Sequence, residues 1–192
     1  MNHLQQKTYL SSQTLNKMKL NKRIILVGMG GVGKDFFKDY LTAEGFVPSV
    51  SYTTRSKRKG EINGETYHFT CDTVFKEMIS DDDFHEHKEF NGWSYGTTKH
   101  SFNNSDVFIF TPSGIKTLDK EELKESIIVY FDIPYEDRLE RLMQRSDSDN
   151  VGRRINADTK DFMDFREWDI KVSNPTYCPE ALLNTIIMFS KI

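Results

Sequence analysis

Two groups of residues in this chain could do chemistry by type and spacing. The first is Gly28–Phe37, GMGGVGKDFF. Its G-x-x-x-x-G-K spacing puts Gly28, Gly33 and Lys34 where a phosphate-binding loop has them. Such a loop works between a strand and a helix, where backbone N–H groups and the helix N-terminus face phosphate oxygens. Gly28, Gly30, Gly31, Val32 and Gly33 would form the cradle, and Lys34 would bring a point charge to the β- and γ-phosphates of ATP. The pattern next asks for Ser or Thr, whose hydroxyl normally touches Mg2+. This chain has Asp35 instead.

The second group lies in TTRSKRKGEINGETYHF, Thr53–Phe69. Arg55 and Arg58 are two guanidiniums three residues apart, beside the hydroxyls of Ser51, Thr53 and Thr54. Arginine holds two oxygens through its fork, so the set suits a dianionic phosphate. Taken alone, RSKRK reads equally as a solvated charge run or a nuclear-import-type patch.

These residues need a scaffold. Arg23–Val27 is a β-branched run ending in glycine and predicts a buried strand, followed by a helix over Lys34–Leu41. Phe46–Tyr52 predicts a second strand, Thr53–Gly64 a basic loop and Tyr67–Thr70 a further strand. Asp72 can cap a helix running to about Ser80. Phe84–Phe90 and Trp93–Thr97 flank Asn91-Gly92, a hairpin signal. Strands follow at Val107–Thr111 and Ile127–Asp132, then a helix over Tyr135–Arg145, a polar break at Ser146–Gly152 and a helix from about Arg153 to Glu167. Ile170–Ser173 is the last strand and Pro179–Phe189 the last helix. Strands alternating with helices predict an α/β fold, a parallel sheet covered on both faces. The hairpin region interrupts that alternation and reads as a small inserted lobe.

At 192 residues the chain suits one domain with inserted lobes. Hydrophobic residues are 37% and mean hydropathy is −0.60, with no run near the ~18 apolar residues of a membrane span. A net charge of −3 gives no global attraction to nucleic acid or anionic lipid. Cys71 and Cys178 have no metal spacing and read as free thiols of a reducing, cytoplasmic compartment. The first 20 residues lack an apolar core and read as a flexible N-terminal extension, with Met18 a candidate start.

The Thr53–Phe69 segment resembles the monophosphate lobe of the guanylate kinase family. That family carries T-T-R-x-P-R-x-G-E-x-x-G-x-x-Y-x-F, and here the proline is Lys57. Phe84, Glu86, Tyr95, Gly96 and Thr97 match its F-x-E and Y-G-[ST]. The resemblance implies a P-loop three-layer α/β/α core (21–52 and 105–192), a β-rich acceptor lobe (about 53–98) and a helical lid (about 141–158). It implies an ATP- and Mg2+-dependent kinase for GMP or dGMP, working as a monomer or homodimer with no nucleic-acid or membrane partner. By position, Ser51, Arg55, Arg58, Tyr67 and Tyr95 would hold the acceptor phosphate, and Glu86 and Thr97 would read the base. Lys34, Arg55, Arg145, Arg154 and Arg141 would act on the transferring group. Asn174 would lie near the adenine.

The chain departs from that pattern at Asp35, at Lys57, and at Ile109 and Thr111, which stand where the family has D-x-D. Ile109 removes a carboxylate from the metal region, and Thr111 removes an acceptor for the guanine 2-amino group, although its hydroxyl can replace part of that substrate contact. Asp35 can restore the first loss. Two other readings stay open at this point: a catalytically silent module of the same fold, and a kinase for another nucleoside monophosphate. His85 and His87 read as surface residues.

Overall fold

The computed structural model describes residues 20–90, 92–144 and 160–191. The N-terminal extension and most of the lid segment, with Arg145, Arg153 and Arg154, lie outside the described residues.

Strand β1 (Arg23–Gly28) is central in a parallel sheet, between β6 (Val107–Phe110) and β7 (Ser126–Phe131), with β8 (Ile170–Val172) beyond β7. Ile24 and Leu26 join one apolar cluster with Phe37 and Leu41 of α1 (Lys34–Ala43) and with Leu183 and Ile186 of α7 (Pro179–Phe189). Ile25 and Val27 join another, with Phe102, Phe108, Ile115 and Phe165. Successive residues of a strand face opposite ways, so a strand covered on both sides must be apolar throughout. That is why RIILV contains no polar interruption after Arg23, and why Ile24–Val27 are wholly buried. The predicted α/β/α layering is what the chain adopts.

A second sheet, ordered β3-β2-β5-β4, holds β2 (Tyr52–Thr53), β3 (His68–Phe69), β4 (Phe84–Phe90) and β5 (Trp93–Thr98). Helix α2 (Asp72–Ser80) packs on it through Phe75, whose ring stacks on Phe84 at 4.6 Å. The hairpin forms as expected, with Phe90 opposite Trp93.

Several local expectations fail for identifiable reasons. Phe46–Tyr52 is not a strand of the parallel sheet: Pro48 makes a single bridge to Val107, and Tyr52 pairs in the second sheet. Proline has no N–H to extend a ladder. Asp72 is the first residue of α2 and not its cap; Cys71 holds that place without a side-chain bond. The helix expected to reach Glu167 ends at residue 162. Beyond it Phe165 and Trp168 both pack on the ring of Tyr130, at 5.2 and 5.1 Å, and this packing outweighs helical propensity. His85 is not a surface residue: its ring stacks on Phe102 at 3.6 Å. His87 is exposed. Three short helices went unpredicted, α3 (Lys99–Asn104), α4 (Pro112–Ile115) and α5 (Lys120–Lys124). Helix α6 (Tyr135–Met143) then leads away from β7 toward the lid segment.

Candidate active site

The two sheets meet at a cavity of about 240 Å³. Gly28, Gly30, Lys34 and Asp35 line one end, and Ser51, Arg58, Tyr67, Glu86, Tyr95 and Thr111 line the rest. The loop and the acceptor-lobe residues singled out by spacing therefore face one space.

The loop sits between β1 and α1 and is held from behind. Arg138 donates through Nε to the Gly30 carbonyl at 3.1 Å. Arg141 donates to the carbonyls of Gly31, Val32 and Pro175 at 3.2, 3.3 and 2.9 Å. Gly31 has φ +81°, and a Cβ there would lie 2.8 Å from the Arg138 carbonyl, so only glycine fits. Arg141, expected on the transferring phosphoryl group, is engaged here with the loop backbone. Lys34 donates to the carbonyls of Gly28 and Met29 at 2.5 and 3.0 Å. Asp35 opens the first turn of α1 with an exposed carboxylate, 3.7 Å from Lys38. Ile109 lines the same cavity.

Just beyond β2, Arg55 is buried and does not line the cavity. It makes a two-pronged pair with Glu61, at 3.1 and 2.7 Å, and Glu61 also accepts the Arg58 N–H at 2.7 Å. Burial pulls the Arg55 pKa down, but the hydrogen bond and charge of Glu61 more than offset it, so the guanidinium is held above its usual range. Burial likewise opposes ionisation of Glu61, yet Arg55 and the Arg58 N–H leave its carboxyl below the usual range. The hydroxyls of Thr53 and Thr54 are spent on Ser94 of β5, as donor to its carbonyl and acceptor of its N–H, rather than on a ligand. Arg58, Tyr67 and Tyr95 remain at the cavity wall, the two rings meeting edge to face at 6.1 Å. Burial pushes the Tyr67 phenol well up, and the charge of Asp35 adds to this.

Glu61→Gln is expected to destabilise the fold by about 3 kcal/mol near neutral pH, because it strands the buried Arg55. A carboxyl depressed by folding stabilises above its unfolded pKa, and that stability is lost as pH falls through the folded value. The deficit in urea midpoint should therefore shrink below the ordinary carboxylate range.

Glu86 is placed by an irregularity. Phe84 pairs with Thr98 but Glu86 with Thr97, so β4 carries one extra residue there. The Thr97 N–H goes to the Glu86 carboxylate at 3.1 Å. Burial pushes the Glu86 carboxyl up, only partly countered by Thr97. Gly96 admits this packing, since a Cβ would lie 2.7 Å from the Phe84 ring. Thr97 itself is fully buried with its hydroxyl 3.2 Å from Ser51, so it stands behind Glu86 and not at the cavity wall. Asn174 does not line the cavity either; its Oδ1 accepts from the N–H and hydroxyl of Thr176, each at 2.9 Å.

Lys88 is a wall residue that no motif singles out, although Glu86, Lys88 and Phe90 share a face by strand alternation. Lys88 lines the cavity and donates to Ser113 at 2.9 Å and Asp161 at 3.1 Å. Among the described residues, no helix is long and apolar enough to cross a membrane.

Comparison with known proteins finds one family throughout. A guanylate kinase family model matches residues 20–177. The chain is 30% identical over 176 residues to a guanylate kinase of Trichormus variabilis, covering 86% of this chain and 87% of that one. It is 34% identical over 158 residues to the guanylate kinase of Sus scrofa, covering 75% and 78%. The solved guanylate kinase of Anaplasma phagocytophilum shares the fold, with TM-score 0.66 at 21% identity over 90% of this chain and 85% of that one.

Proposed function

Because this chain belongs to the guanylate kinase family and is a phosphotransferase of that type, we propose that it transfers the γ-phosphoryl group of ATP to GMP or dGMP, with Mg2+. The observation that carries this reading is the single cavity joining the Gly28–Lys34 loop to Arg58, Tyr67, Tyr95 and Glu86. A donor triphosphate on the loop and an acceptor monophosphate under the tyrosines would meet in line, and the protein's work is positioning and charge neutralisation.

In this reading the loop N–H groups and Lys34 take the donor phosphates, Lys34 exchanging its loop carbonyls for phosphate oxygens. Ser51, Arg58, Tyr67 and Tyr95 hold the acceptor phosphate. Arg55 acts by fixing the Arg58–Glu61 loop through Glu61. Glu86 accepts from the guanine N1–H and 2-amino group, where adenine would present an unprotonated nitrogen to a carboxylate. Arg145 and Arg154 would neutralise the equatorial oxygens from the lid.

The residues present fit Mg2+, which takes one or two carboxylates and completes its shell with phosphates and water. Asp35 would hold it, replacing the carboxylate missing at Ile109, and the ion would neutralise charge on the β- and γ-oxygens. Both positions line the same cavity. Asp35→Asn is expected to lower Mg2+-dependent kcat about 30-fold or more, and Asp35→Glu several-fold less, on the scale of removing one group that stabilises charge in transfer. Equal, unimpaired rates in both variants would remove Asp35 from the metal site.

The whole reading is tested by ADP release with GMP, dGMP, AMP, CMP and UMP, with and without Mg2+. Mg2+-dependent turnover with GMP and dGMP, and none with AMP or CMP, is expected. Measurable GMP binding with no turnover on any acceptor would make the chain a binding module.

A further inference from the structure

The base end of the cavity holds a group of donors that guanine recognition does not use. Lys88 Nζ lies 2.9 Å from the Ser113 hydroxyl, which lies 3.1 Å from the Thr111 hydroxyl. Thr111 also accepts the Gly114 N–H at 3.4 Å. An ammonium has three N–H groups and no acceptor, so the Lys88–Ser113 bond has one possible direction. Donation to Ser113 strengthens the Ser113 O–H as a donor in turn, which favours Thr111 as its acceptor. Thr111 then has both lone pairs occupied, by Ser113 and Gly114, and offers its own hydrogen outward. Two of the Lys88 N–H groups go to Ser113 and Asp161, and the ammonium lies 4.7 Å from the ring of Phe90, which lines the same cavity.

Glu86 and Thr111 line that same cavity and present opposite chemistry: a carboxylate that accepts, and a cation-polarised hydroxyl chain that donates. A guanine 2-amino group brings a donor to the hydroxyl chain. A base carrying an N–H beside a C2 carbonyl meets both groups correctly.

We infer that Lys88, acting with Ser113 and Thr111, is a specificity determinant that admits nucleoside monophosphates whose base presents an N–H next to a C2 carbonyl, in addition to GMP. The inference rests on the acceptor-site reading above. Xanthine supplies this edge in a purine, its N1–H facing the carboxylate and its C2 carbonyl facing the hydroxyl chain. Uracil supplies the same edge in a pyrimidine.

The test is calorimetric binding of XMP, UMP and GMP to the full chain without ATP. A site built only for a 2-amino purine should reject the 2-oxo analogue by about 10³-fold or more. The expected result is XMP or UMP binding within about 30-fold of GMP, with that ratio worsening at least about tenfold in Lys88→Met and in Ser113→Ala. UMP against XMP tells whether the edge alone or the purine frame is needed. Asp161→Ala removes the other Lys88 contact and should leave the ratio in place. A wider gap for both ligands, an unchanged ratio in Lys88→Met and Ser113→Ala, or an equal loss in Asp161→Ala overturns the inference. Loss of GMP turnover would sink the kinase reading, while these binding ratios would still decide the role of Lys88.

Discussion

Glu86→Gln is expected to lower kcat/KM for GMP by about 10³-fold while changing the residual rate with AMP far less. The amide turns an N–H toward two guanine donors, leaving buried polar groups unpaired in the complex. The bond from Thr97 survives, because the amide oxygen can still accept it. The same substitution should raise the thermal midpoint. Burial holds the Glu86 carboxyl above its usual range, so its ionised form opposes folding at neutral pH. A raised pKa gives stability that is present at low pH and lost as pH rises through the folded value. The gain in the variant should therefore be largest near neutrality and fade as the wild-type carboxyl becomes protonated. In the wild type, the acid limb of kcat/KM for GMP should lie above the ordinary carboxylate range. A variant that loses activity and stability together would mark Glu86 as a structural residue.

Lys34→Met should lower kcat by about 10²- to 10³-fold, the scale of removing one preorganised charge from a transfer step. GMP affinity should change little, because Lys34 sits at the loop end of the cavity and Glu86 at the other. Lys34→Arg should fail nearly as badly. The ammonium is accommodated between two carbonyls, at 2.5 and 3.0 Å, where a planar fork with a longer reach has no equivalent seat. Rapid-quench measurement of the transfer step against GMP titration separates the two effects. Unimpaired transfer in Lys34→Met would detach the loop from catalysis.

The parts of this molecule that obey short-range rules were legible in the sequence. RIILV had to be a doubly covered strand, and the glycines and lysine after it had to form a turn into a helix. Asn91-Gly92 between alternating residues specified the hairpin. Each of these depends on neighbours within a few positions. What escaped depends on contacts between distant segments. The pair with Glu61 ties Arg55, expected on the acceptor phosphate, to a residue six positions on that its spacing does not mark. His85 was read as solvated because its stacking partner, Phe102, belongs to a helix 17 residues on. Lys88 acquires meaning only through Ser113 and Asp161, and nothing in HEHKEF announces them. Arg141 is grouped by the resemblance with the lid arginines, and Arg138 stands one turn before it. Helical spacing puts them on one face of α6, and that face lies against the loop. The acceptor-lobe alternation at Glu86, Lys88 and Phe90 was available and would have added Lys88 to the candidates.

The grip of Arg138 and Arg141 on the loop has a thermodynamic side. Carbonyls at Gly30, Gly31 and Val32 are already tied to guanidiniums. A loop so restrained has little conformational entropy left to surrender when a triphosphate lands on it. Donor binding by this chain should therefore carry a small entropic penalty. Truncating Arg141 to Ala should appear in calorimetry mainly as a less favourable entropy of nucleotide binding. The arginine would thus act on the nucleotide without touching it, by ordering in advance the backbone that does.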